Sequence, residues 1–265
     1  MQVKLHQVVT FARHIFHGNP AFVVTATEPP PDTDATMAGV SDLIGADVMA
    51  LILRPDSNEP ELRFYTPEGT HPGAGHATAA AAFIGLSTPQ RRSVAFRLAN
   101  GDHRHASRSP HGIAVQWPVM PYEQTPRAEE LARALKANPR ETYVAPFGYL
   151  AIFDTEEAIA ALEPDLPLIA GLDRSAVITT APGRQTDIVI RVFAPAVGLP
   201  EDPVCGTAHR IITPYWVPRL GKSEIHSRHL SKRGGDLWCR HDGANVEIAG
   251  EAIQAFETTL DLPAT

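Results

Sequence analysis

Cysteine is scarce. Cys205 and Cys239 are the two in 265 residues, too few for a disulfide framework or an all-cysteine zinc site. Positive charge is outnumbered: 23 Lys and Arg stand against 30 Asp and Glu, a net charge of −7. Such a chain has no general electrostatic pull on nucleic acid or anionic lipid. Aromatic residues make up 7% and do not interleave with basic ones, which removes the stacking surface that single-stranded nucleic acid needs. No apolar run approaches the ~20 residues of a membrane span; the longest, Ala77 to Leu86, reaches about half of that. Met1 to His6 alternates like a strand, without the basic start and apolar run of a secretory leader. There is no Gly-x-Ser-x-Gly elbow and no phosphate loop, and Gly73-x-Gly75 is not followed by a glycine three residues on, so the dinucleotide fingerprint is missing as well. The expectation is a soluble, cytoplasmic, globular protein with no nucleic-acid or membrane partner.

Turn-forming residues are plentiful, with 24 Pro and 19 Gly, and strand-like runs outnumber helical ones. Val3–Phe11, Phe22–Thr27, Met49–Leu53, Glu61–Thr66, Val94–Leu98 and Ile113–Trp117 are short, β-branched or aromatic, and bounded by turn residues. Thr33 to Ile44 follows an Asp/Thr cluster and carries apolar residues at helical spacing. Gly75 to Leu86 is small or apolar on almost every face; a helix with no polar side is buried all round, so strands are expected to wrap it. Pro118, Pro121 and Pro126 mark a seam, and division into domains 1–120 and 121–265 follows, with the last strand able to cross back. Beyond the seam, Ala128–Lys136 forms an amphipathic helix, Val177–Thr180 and Asp187–Phe193 are strands, and short strands from Ile225 to Leu260 close the chain.

The halves echo each other. Arg63-Phe64-Tyr65-Thr66-Pro67 precedes Gly75-His76-Ala77-Thr78, and Arg191-Val192-Phe193-Ala194-Pro195 precedes Gly206-Thr207-Ala208-His209. A strand–proline–loop–glycine–helix unit, once per half, argues for duplication. If the halves face each other, both helix N-termini point into one interdomain cleft. Unpaired N–H groups and the positive dipole end favour an anion there, holding a carboxylate and stabilising an enolate-like charge. In the second loop, Asp202 stands between Pro200 and Pro203 as a proton carrier. Cys205, at the helix N-terminus, is expected to have a lowered pKa, although a small core residue is the commoner role of such a cysteine. His76 opens the first buried helix, where the dipole end keeps imidazole neutral. Cys205/His209 and His226/His229 have ligand-like spacing, but without a third convergent ligand no metal site is expected.

These motifs resemble the PhzF-like isomerase family of phenazine biosynthesis, which has the diaminopimelate-epimerase-like fold. Gly18-Asn19-Pro20-Ala21, Phe64-Tyr65-Thr66-Pro67 with Gly75-His76-Ala77-Thr78, Glu201-Asp202-Pro203-Val204 with Gly206-Thr207-Ala208-His209, and Ser227-Arg228 with Arg233-Gly234-Gly235 carry the resemblance in order along the chain. It implies an α+β fold of two similar domains, each a barrel-like strand wrap around a central helix, with the active site in the cleft between them. It further implies a homodimer, and cofactor-independent proton transfer on a small carboxylate-bearing substrate. His76 and Asp202 fall on family site positions, and Asn19 lies in the first motif turn at the cleft edge. Asn19, Gly73, Ala74, Gly75, Gly206 and Thr207 are the substrate-binding candidates, and Asp202, His76, Cys205 and Asp47 the catalytic ones.

Three departures qualify that implication. The family's catalytic Glu aligns with Val48, and Asp47 beside it would face the opposite way in a strand. Ala74 stands where two-thiol epimerases have their first cysteine, which disfavours a symmetric two-thiol racemase. Cys205 stands where the family often has Thr or Ser. Besides an isomerase or epimerase, two readings stay open: a non-catalytic carboxylate binder of the same fold, and a dehydratase using one base and one acid.

Overall fold

The computed structural model describes residues 1–263. It divides into two units, Met1–Gln116 with Ala249–Thr265, and Trp117–Ile248. The border between the units lies at Gln116/Trp117, and the C-terminal segment, whose last strand was expected to be able to cross back, is grouped with the first unit.

In the first unit the chain runs through β1 (Gln2–Thr10), β2 (Asn19–Ala26), α1 (Thr33–Leu43), β3 (Met49–Leu53), β4 (Glu61–Thr66), β5 (Gly69–His71), α2 (Gly75–Gly85), β6 (Ser93–Leu98), β7 (His103–Ser109) and β8 (Gly112–Pro118). β1 and β2 are antiparallel, β3 runs parallel to β2, and β4 runs antiparallel to β3. A parallel pair needs a crossover, and α1 supplies it between β2 and β3. Every residue of β3 is buried, so this strand is covered on both faces. One cover is α1, whose Met37 and Val40 pack with Leu5, Val24, Leu51 and Tyr65. The other is α2, which contacts β1, β2 and β3. Ala77 through Ala82 are buried, as an unrelieved apolar helix requires. Its small side chains also let strands come close: a Cβ on Gly85 would lie 2.8 Å from the Phe96 ring.

The second unit holds β9 (Glu123–Gln124), α3 (Ala128–Leu135), β10 (Glu141–Val144), β11 (Gly148–Ile152), α4 (Glu156–Ala160), α5 (Leu166–Ala170), β12 (Ala176–Pro182), β13 (Ile188–Phe193), α6 (Gly206–Leu220), β14 (Glu224–His229), β15 (Gly235–His241) and β16 (Asn245–Gly250). Its layering repeats the first. Leu131 and Leu135 of α3 and Ile159 of α4 cover one face of the sheet, against Tyr149, Val177 and Phe193, and α6 packs on β14 and β15. α6 runs through Pro214 and Pro218. A proline removes the N–H that would satisfy the carbonyl four residues earlier; the Arg210 carbonyl accepts instead from the Met120 N–H at 3.1 Å. Trp216 anchors the same helix by donating from Nε1 to Thr180 Oγ1 at 3.2 Å. Finally β17 (Ala252–Asp261) pairs with β1 from Gln2↔Asp261 to Thr10↔Ala252, with a bulge at Gln7/Val8.

Candidate active site

In the first unit the turn into α2 is built from Gly73 (φ +136°), Ala74 and Gly75. Ala74 is the extended N-cap residue, and no side chain caps the helix; Thr78 points its hydroxyl back to the Ala74 carbonyl at 2.8 Å. The N-terminal dipole end is therefore not neutralised by a carboxylate cap, which keeps its attraction for an anion. His76 is half-buried on the first turn. It lines a cavity of about 110 Å³ together with Asp47, Val48, Gln7 and Pro20.

The expectation that Asp47 and Val48 point to opposite faces of a strand is not met. Both lie on a bend that ends one residue before β3, so strand alternation does not apply and both reach the His76 cavity. Asp47 is exposed and Val48 half-buried. Asn19 itself is buried, at the first position of β2, with its carbonyl accepting from Thr10 Oγ1 at 3.0 Å. The residue after it, Pro20, reaches the cavity wall.

Gln7 was not among the expected residues. It follows His6 in β1, ahead of the apolar pair Val8-Val9, and it sits at the β1/β17 bulge. Bulges re-aim side chains beside functional sites, and this one is set by the pairing with β17 rather than by a pattern readable in β1 alone.

In the second unit Asp202 is half-buried, and its Oδ1 accepts the Val204 N–H at 3.1 Å. Its backbone N–H is tied to the Val192 carbonyl at 2.9 Å. The loop is thus fixed to β13, which leaves the carboxylate with a defined position. Cys205 is the N-cap residue of α6, Gly206 is the first helical residue, and Thr207 is half-buried on the first turn. The lowered thiol pKa expected at a helix N-terminus is not found. Burial pushes the Cys205 thiol well up, and the adjacent Asp202 carboxylate, to which it is hydrogen-bonded, pushes further in the same direction. The Thr207 and Ala208 N–H groups pull the other way and lose. Desolvation outweighs the dipole because it acts on the whole thiolate charge, while a helix end offers about half an elementary charge. Cys205 is a neutral thiol able to give a proton, paired with a carboxylate able to take one.

Behind this loop, His209 holds the turn. Its Nδ1 donates to the Cys205 carbonyl at 2.9 Å. In a neutral ring that leaves Nε2 as the acceptor for the Ser227 hydroxyl, also at 2.9 Å. Burial pushes the His209 pKa down to about 4, so the ring stays neutral. Ser227 and His209 thus support Cys205 from behind. Among the described residues no group of three or more His, Cys, Asp or Glu side chains is placed to hold a metal, and no helix is long and apolar enough to cross a membrane.

Asp47, His76 and the Gly73–Gly75 turn come together in the first unit, and Asp202, Cys205, Gly206 and Thr207 in the second. Two strand-wrapped helices, each entered through a glycine turn beside a carboxylate, define the class as an α+β epimerase-like fold. The comparisons narrow it. The family model of phenazine biosynthesis-like proteins (PhzC-PhzF) matches residues 8–258, and the chain belongs to that family. An uncharacterized isomerase of Pseudomonas aeruginosa is 34% identical, with 96% of each chain covered. The crystal structure of a PhzF family protein of Enterococcus faecalis superposes with a TM-score of 0.91 at 29% identity, over 99% of this chain and 100% of that one. A predicted epimerase of Pseudomonas aeruginosa shares the fold at a TM-score of 0.71 and 17% identity, over 97% and 98% of the two chains.

Proposed function

We propose that the protein is a cofactor-independent isomerase or epimerase that moves a proton on a small carboxylate-bearing substrate by acid/base catalysis. The observation that carries this is the Asp202 carboxylate hydrogen-bonded to the neutral Cys205 thiol at the uncapped start of α6. The names of the relatives, an isomerase and an epimerase among them, support the same class. In this reading Asp202 takes the proton from the carbon next to the substrate's electron-withdrawing group. The electron pair left behind delocalises onto oxygen, where helix N–H groups stabilise the charge. His76, with Asp47 beside it, returns a proton at another position or on the other face. Asn19, Gly73, Ala74, Gly75, Gly206 and Thr207 are the proposed substrate-binding residues, the glycine turns acting through their backbone. A cytoplasmic homodimer completes the proposal.

The test is solvent exchange. A panel of small carboxylates incubated in D2O with the protein should include one that gains deuterium at carbon. Asp202→Asn should lower that rate by about 10²–10⁴-fold, the usual worth of a general acid–base group. A panel with no exchange above the protein-free control would contradict the proposal.

Val48 favours a second reading, a carboxylate-binding protein without turnover, because a half-buried aliphatic side chain lines the His76 cavity where the family's Glu aligns. That reading predicts thermal stabilisation by carboxylates without exchange, and exchange appearing in Val48→Glu.

A further inference from the structure

β17 pairs with β1 on one side, and the direction of its other edge follows from the chain ends. Met1 donates to the Leu262 carbonyl at 3.0 Å, and Leu262 donates back to the Met1 carbonyl at 2.8 Å. These two residues thus exchange both backbone hydrogen bonds. In an antiparallel ladder such pairs alternate with pairs that exchange none. The register runs without a slip from Gln2↔Asp261 to Gln7↔Phe256. Leu260, Thr258 and Phe256 therefore turn their N–H and C=O groups towards β1, and Asp261, Thr259 and Glu257 turn theirs away. Glu257 and Thr259 are exposed, and among the described residues no backbone hydrogen bond runs from them to another element.

Natural sheets blunt an open edge with proline, lysine or a covering element. β17 contains no proline, glycine or lysine. Its two acids are engaged on their own sheet: Glu257 takes the Lys4 ammonium at 2.8 Å, and Asp261 accepts from the Gln2 amide at 2.9 Å. Phe256 remains 44% exposed, its ring edge-on to Phe22. What completes such an edge is another strand, and the sequence of β17 fits a second copy of itself. A two-fold axis normal to the sheet pairs the copies antiparallel and keeps each residue on its own face. Centred on Thr258, it sets Glu257 opposite the partner's Thr259 and Phe256 opposite the partner's Leu260. Glu257 and Thr259 are the outward residues, so they exchange both backbone hydrogen bonds. Phe256, Thr258 and Leu260 fall in the alternate pairs, where side chains come closest. Centring on Glu257 would set it against its own copy, and centring on Thr259 would set Glu257 against the partner's Asp261. Like charges directly opposite are destabilising. Larger shifts meet the bulge at one end or run off the strand at the other.

We propose that two copies of the chain join edge to edge through β17, antiparallel and centred on Thr258, so that the sheets of two first units run on into each other. This gives the homodimer proposed above a surface and a register. It involves none of the acid/base groups, and its test reads association alone, so either reading can fail while the other stands.

Sedimentation equilibrium of the purified chain should show a dimer whose fraction rises with concentration. Thr259→Pro removes an outward N–H and spares the bonds to β1. It should weaken association at least about tenfold, because each copy loses a hydrogen bond to the other. Thr258→Glu and Thr258→Lys each set like charges face to face at the two-fold axis and should also weaken association. Mixed together, these two variants should dimerise with each other more tightly than either does alone. Thr258→Cys should cross-link into a disulfide dimer on oxidation, since the native thiols are buried and facing side chains lie within bridging distance. The proposal is overturned if the wild type sediments as a monomer throughout, or if a folded Thr259→Pro associates as the wild type does. It is equally overturned if the Glu and Lys variants gain nothing on mixing, or if Thr258→Cys forms no cross-link. The cross-link decides the matter should Thr259→Pro fail to fold.

Discussion

Gly18 shows how closely single residues set the approach to the site. Its φ is +71°, and a Cβ there would lie 2.2 Å from the Thr10 carbonyl oxygen. Backbone on both sides cannot yield as a flexible side chain can, so Gly18→Ala should cost more than about 2 kcal/mol in a denaturant titration; an unchanged midpoint would contradict the geometry. The two thiols make a second prediction. Both cysteines are buried, and burial pushes both thiols up from the usual range. The thiolate is the reactive form. Iodoacetamide at neutral pH should therefore leave native protein unmodified and label both residues after denaturation; rapid native labelling of Cys205 would contradict its neutral state. This point was not legible in the sequence, because the Cys-Gly-Thr-Ala-His string shows the helix start but not the depth at which it sits. The bend at Asp47–Val48 was hidden in the same way. Its residues read on into the apolar run of β3, and the break depends on where the crossover from α1 ends.

At the scale of elements, α2 and β3 were legible for one physical reason: a segment apolar on every side has to be covered on every side. α6 was less so. Pro214 and Pro218 contradict a helical reading, and the Met120 N–H that satisfies the Arg210 carbonyl comes from ninety residues away in sequence. Short polar elements such as β5 and β9 owe their existence to neighbours rather than to composition. The start of α6 carries a pH prediction. The folded pKa of His209 is depressed to about 4 from 6.5, so between these values the unfolded chain binds the proton and the folded one does not. Stability is then full above about pH 6.5 and falls as pH drops towards 4, by about 3 kcal/mol in total. His229, whose ring centroid lies 5.5 Å from that of His209, has its pKa lowered by burial and works in the same direction. The Asp236 carboxylate, held at about 2 by His226 and Arg228 against the cost of burial, adds to the loss below pH 4. His209→Gln should flatten the pH 4–6.5 part of the profile; an unaltered slope would mean that the ring titrates normally.

For the whole molecule, the chain closes its first unit with its last strand. β17 pairs with β1 along the length of that strand, and Met1 donates its terminal amine to the Leu262 carbonyl at 3.0 Å. Removing residues after Gly250 should expose residues 1–116 to limited proteolysis; a truncated chain as resistant as the full one would contradict the discontinuous unit. The family and fold were legible because several motifs recur in a fixed order along the chain, a property of the entire sequence that survives local departures such as Val48 and Ala74. The departures are what the site's chemistry turns on, and proton transfer at Asp202 is the central claim. Its most direct measurement is deuterium incorporation at carbon, by mass spectrometry, across a panel of small carboxylates in D2O with wild type and Asp202→Asn. The account predicts incorporation into at least one compound with the wild type and its loss in the variant, and incorporation that persists undiminished in Asp202→Asn would contradict it.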